Sequence, residues 1–152
     1  MAYALVARVA SAATLVGALG VAHAQIGVGT WIKQAAPGTH VQITMIVEPC
    51  CSGGRRLTYK FGNAAQAMVV ESPFDGREVP VLLDGKPSGE TMAITLVDPR
   101  HTTAIVKMNG KAFGISKGSL SSDGKTLTVE SDFSASAGGN PAGKQTELWI
   151  RK

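Results

Sequence analysis

Apolar and polar residues alternate with a period of two over much of this chain. From Thr39 to Glu48, Val41, Ile43, Met45 and Val47 share one face and Gln42, Thr44 and Glu48 the other, with Ile46 the single apolar exception. Such alternation predicts a β-strand with one face buried. The same period recurs in Arg55 to Phe61 (Leu57, Tyr59, Phe61), Glu90 to Asp98 (Met92, Ile94, Leu96) and Lys125 to Phe133 (Leu127, Val129, Phe133). Further strands are expected at Asn63 to Glu71, Arg77 to Leu83, His101 to Met108, Lys111 to Leu120 and Lys144 to Arg151. Pro80 makes Arg77 to Leu83 irregular or edge-like, because proline has no N–H for a ladder.

Four Gly-turn signals punctuate these segments: Asp75-Gly76, Asp84-Gly85, Asn109-Gly110 and Asp123-Gly124. Asp-Gly and Asn-Gly pairs place two successive residues at positive φ, which reverses a chain in the twist of its flanking strands. The expected fold is therefore all-β, an antiparallel up-and-down meander of eight or nine strands. Closure into a barrel removes the exposed edges that an open sheet of this size would present.

The first stretch has a different character. Arg8 precedes an apolar run from Val9 to Val21, which ends in Ala22-His23-Ala24 before Gln25. A positive residue, a short apolar core and a small-x-small site are the marks of a secretory signal peptide. Residues 1–24 are read as that leader and 25–152 as one domain. The run is short for a permanent anchor, so no stable membrane insertion is expected after cleavage. The expected location is periplasmic or extracellular.

Formal net charge is +4, falling to about +3 when Arg8 leaves with the leader. The basic residues are scattered along the chain in no dense block. That argues against nucleic acid, whose partners concentrate charge on one element with aromatic neighbours. The two cysteines, Cys50 and Cys51, are adjacent. An exported chain meets oxidising conditions, so a vicinal disulfide that clips the Pro49 to Gly54 turn is one reading and a pair of idle thiols the other.

Three segments carry a family likeness: Pro73-Phe74-Asp75-Gly76-Arg77-Glu78-Val79-Pro80-Val81, Thr95-Leu96-Val97-Asp98, and Ser121 through Val129. Together they resemble small exported bacterial proteins of the lipocalin-like (calycin) type. In that family a DGK-Y-PV segment precedes a strand ending in a D-x-R/N turn, and an S-x-DGKT-hydrophobic-T-V segment opens the penultimate strand. Gly29-Thr30-Trp31 is similar to the G-x-W opening of lipocalin-type barrels, which implies Trp31 as the plug of one end. The chain departs from the pattern at Val79, where an aromatic is usual, and at Cys50-Cys51. These motifs specify turns and strands, so they imply a fold and transfer no catalytic or ligand residue.

Candidate chemistry is sparse. His40 and His101 are isolated, with no acid or cysteine at a metal-site spacing. No Gly-x-Ser-x-Gly elbow or papain-type cysteine marks a nucleophile. No catalytic residue, metal or cofactor is therefore assigned. A barrel of about eight strands has an interior that is either just filled or holds one small ligand. The expected lining is Trp31, Val41, Ile43, Met45, Val47, Met92, Ile94, Leu96, Leu127, Val129 and Phe133, which suits a small hydrophobic or amphipathic molecule. The alternative is a protein partner or inhibitor target met by loops, the Cys50 to Arg56 turn and the Ser134 to Gly143 loop, with Arg55 and Arg56 the better contact candidates.

Overall fold

The computed structural model describes residues 27–38, 40–136 and 141–152; the expected leader, residues 1–24, lies outside them. Ten antiparallel strands follow one another: β1 (Gly29–Lys33), β2 (Ile43–Cys50), β3 (Gly54–Phe61), β4 (Ala67–Ser72), β5 (Asp75–Leu83), β6 (Lys86–Asp98), β7 (His101–Met108), β8 (Lys111–Leu120), β9 (Thr126–Phe133) and β10 (Gly143–Arg151). Each pairs with its sequence neighbours, and β1 pairs with both β2 and β10, so the meander closes into a barrel. The tenth strand is β1 itself. Its five residues, interrupted by no alternation of their own, read in sequence only as an opening motif.

Two of the Gly-turn signals behave as expected. Asp84 (φ 51) with Gly85 (φ 76), and Asn109 (φ 50) with Gly110 (φ 81), join β5 to β6 and β7 to β8 with both central residues at positive φ. Asp123-Gly124 is part of a longer corner, in which the Gly124 N–H donates to the Ser121 carbonyl at 3.0 Å. Asp75-Gly76 is not a two-residue turn. The chain reverses at Phe74 (φ 59) and Gly76 (φ 86), while the Asp75 carboxylate accepts from the Arg77 N–H at 3.0 Å.

Pro80 sits where the ladder is weakest. Strands β4 and β5 pair only at Met68–Leu83, Val69–Leu82 and Val70–Val81, and β5 shifts register against β6 on both sides of Pro80. Below that short ladder β5 keeps β6 alone, so it behaves as a local edge inside a closed sheet. The Phe74 carbonyl extends the β5–β6 pairing by accepting the Leu96 N–H at 2.9 Å. A second irregularity, a bulge between Val106 and Lys107, slips the register of β7 against β8 around Phe113. Phe113 is buried as a result and stacks on Phe133, with ring centroids 5.7 Å apart.

One end of the barrel is packed solid. Trp31, Val47, Val70 and Val81 are each at most 1% exposed, with Leu57, Ile94, Leu127 and Trp149 around them. The Trp31 indole N–H donates to the Gly27 carbonyl at 2.8 Å, and a side chain at Gly27 would collide with the indole. The Arg151 guanidinium lies 5.8 Å from the ring centroid on its outer side and donates to the Val28 carbonyl at 2.6 Å. Trp31 thus plugs the end and couples β1 to β10.

Replacing a buried tryptophan by alanine removes packing and leaves a cavity, a loss of about 3–5 kcal/mol. Trp31→Ala is therefore expected to lower the urea midpoint of unfolding by a large part of the total stability of such a domain. A midpoint within the error of the parent chain would show that the plug is not structural.

Candidate functional site

Above the Trp31 floor the barrel is hollow. The lumen has a volume of about 570 Å³ and is walled mainly by apolar side chains, with Tyr59, Glu90, Lys33, Glu147, Ser116 and Ser131 among them. That size suits a small organic molecule. Ten strands rather than eight explain the space, since barrel diameter grows with strand number.

Of the side chains expected to line the interior, Ile43, Met45, Met92, Ile94, Leu127, Val129 and Phe133 face the lumen. Four stand elsewhere. Trp31 and Val47 belong to the packed floor. Val41 is 52% exposed, because β2 begins only at Ile43; it borders a smaller cleft of about 350 Å³ beside the barrel mouth. Leu96 keeps the expected parity but is exposed, because β6 runs past the floor and bulges between Leu96 and Asp98.

The polar groups of the lumen escaped the apolar reading although the period-two rule reaches each of them. Lys33 follows Trp31 by two residues, Glu147 precedes Trp149 by two, and Glu90 precedes Met92 by two. Lys33 and Glu147 form an ion pair across β1 and β10, and the second Glu147 oxygen accepts the Trp149 indole N–H at 3.2 Å. Tyr59 meets Trp149 edge-on, centroids 5.9 Å apart. Burial, then the fields of Glu147 and Glu90, push the Tyr59 hydroxyl far above its ordinary pKa, so it is a hydrogen-bond donor throughout the neutral range. Glu90 is 6% exposed, and burial raises its carboxyl above the usual range.

The other candidates do not converge. The His101 Nδ1 lies 2.7 Å from Asp98 Oδ2 on an exposed corner. The Arg100 N–H, then His101, hold that carboxyl below its ordinary pKa. His40 is exposed in the loop before β2. Among the described residues no group of three His, Cys, Asp or Glu side chains gathers at a point. Cys50 and Cys51 are joined by a disulfide. Arg55 is not the surface contact expected of it: it is 4% exposed, and its Nη1 donates to the Gly54 carbonyl at 2.6 Å and the Gly53 carbonyl at 3.2 Å. It therefore braces the turn from inside. Arg56 is paired with Glu71 across β3 and β4, Nε to Oε1 at 2.7 Å.

No protein-family model matches the chain, and no curated protein matches it in sequence. Solved structures do match its shape. The wild-type fluorescent protein UnaG superposes with a TM-score of 0.59 at 14% identity, covering 82% of this chain and 96% of that one. One single-site mutant of UnaG gives 0.61 at 13% identity over 84% and 96%, and another gives 0.57 at 15% over 82% and 94%. At such identities the likeness extends to the barrel fold.

Glu90 gives the site a measurable pH signature. Folding raises its pKa, so over the window between the unfolded and folded values the native chain holds a proton that the unfolded chain has released. Stability therefore falls as pH rises through that window. Glu90→Gln, which keeps the shape and removes the charge, is expected to unfold at higher urea than the parent at neutral pH. The gap should close below about pH 4, where the carboxyl is protonated in both states. A parent chain as stable as the variant at neutral pH would contradict a buried, uncompensated Glu90.

Proposed function

We propose that this chain is an exported, non-catalytic binding protein that holds one small hydrophobic or amphipathic molecule in its barrel. The observation that carries the reading is the hollow above Trp31. Folding favours filling apolar space, because a void forfeits the contacts of its lining atoms. A cavity of about 570 Å³ is far larger than the gaps between packed core side chains. The wall supplies the apolar surface that drives association, and Met45, Met68 and Met92 supply adaptable contacts for an irregular guest.

Export is supported by the leader-like residues 1–24 and by the disulfide between Cys50 and Cys51, a bond that persists in oxidising compartments. Membership in the exported bacterial calycin group rests on the turn motifs quoted from the sequence. The barrel fold agrees with it.

A neutral, solvatochromic dye such as phenylnaphthylamine is expected to bind saturably at one site per chain. Ala104 lines the lumen from β7, so Ala104→Trp fills it and should weaken the dye by about tenfold or more while the fold persists. Dye binding unchanged by this substitution, or no saturable binding to the parent chain, would defeat the reading. Cell fractionation with N-terminal sequencing tests export: the mature protein is expected outside the cytoplasm and to begin near Gln25. An intact leader on a cytoplasmic protein is the contrary result.

A further inference from the structure

Among the described residues the lumen carries three that are charged in water, and they are unevenly matched. Lys33 and Glu147 satisfy each other, and the Trp149 indole N–H takes up the remaining Glu147 oxygen. Glu90 is left over. Its backbone N–H is capped by Ser88 Oγ at 3.2 Å, but among the described residues its carboxylate has no hydrogen bond and no ion pair. Lys107 of β7, next to the Met108 that pairs with Glu90, is spent on Glu78. Around Glu90 stand Met108, its partner across β6 and β7, and Met92 and Val106, which share the lumen wall.

Glu90 is a largely buried residue whose carboxyl lines the open cavity, and a charge in such a place is costly unless something pairs with it. From these features we infer that Glu90 is the head-group contact of the lumen and that the preferred ligand is an amphipathic amine. This rests on the lumen-binding reading above. An alkyl or aryl ammonium would place its hydrocarbon on Met92, Ile94 and Leu127 and its N–H groups on the Glu90 oxygens. The charged hydrogen bond would form in a site of low dielectric, where it is strong. A carboxylate ligand meets the opposite field. It would set a like charge near Glu90, and among the described residues the only lumen cation, Lys33, is already paired with Glu147. A neutral alcohol would gain the apolar contact and at most one hydrogen bond to Glu90, without the attraction between opposite charges.

Calorimetric titration of the mature protein with decylamine, decanol and decanoate at neutral pH separates these cases. Decylamine is expected to bind at least about tenfold more tightly than decanol, and decanoate no better than decanol. Glu90→Gln should bring decylamine to the level of decanol while leaving decanol within about twofold of the parent, so decanol binding also certifies the fold of the variant. Glu90→Asp, which keeps the charge one methylene further back, should retain part of the preference. Equal binding of amine and alcohol by the parent chain, or a preference for the amine that survives in Glu90→Gln, would overturn the head-group assignment and leave lumen binding intact. Failure of all three to bind would remove the lumen reading and this inference with it.

Discussion

Strand β1 is the constraint on which the rest of the molecule depends. It is five residues long, yet it bonds to β2 on one side and to β10 on the other, joining parts of the chain more than a hundred residues apart. Without it the sheet would have two open edges and no enclosed space. The plug supplies what so short a strand lacks. Trp31 is fully buried on the lumen side, tied to Gly27 by its indole N–H, while Arg151 of β10 reaches back to Val28. Ring closure and floor packing are therefore one event, and the packed floor is what makes the opposite part of the barrel a cavity with a bottom.

The hollow follows from a balance between strand number and side-chain size. Ten strands enclose more volume than medium-sized residues such as Met45, Met92, Ile94 and Val129 fill. The sequence has only eight Phe, Trp and Tyr residues, and Trp31 is committed to the floor and Phe113 to the stack on Phe133. Few large rings remain to occupy the middle. The polar groups within are then decisive, because a low dielectric magnifies every charge left unpaired. The Lys33–Glu147 pair belongs to the architecture, linking β1 and β10 on the same seam that Trp31 closes. Among the described residues Glu90 has no such partner.

The turn between β2 and β3 has a structural role of comparable kind. The Cys50–Cys51 bond and the buried Arg55, which donates to the carbonyls of Gly53 and Gly54, both act on a few residues at the closed end. Arg55 stands opposite Ser72, itself fully buried, so this corner is anchored to β4 as well. Two of the exposed apolar side chains, Ile105 and Ile115, are paired on the outer face of β7 and β8. Of the two arginines at the Cys50 to Arg56 turn, Arg55 is buried and Arg56 is exposed and paired with Glu71.

Local chemistry determined the fold class, the meander and most of the inward faces, because a strand's alternation and an Asn-Gly or Asp-Gly corner are set by neighbouring residues. Ile43, Met45, Met92, Ile94, Leu127, Val129 and Phe133 were legible as interior for that reason. The errors have a common cause. Val41 lies before its strand starts and Leu96 beyond the barrel floor, and where a strand enters or leaves the ring is fixed by its partners. The Asp75-Gly76 signal failed similarly, since the reversal at Phe74 depends on the parting of β4 from β5. Only the tertiary structure decided that there are ten strands around a hollow, that Arg55 turns inward, and that Lys33 meets Glu147 across 114 residues of chain. Among the described residues that last pairing leaves Glu90 without one, and no local rule in the sequence assigns a charge its partner at such a distance.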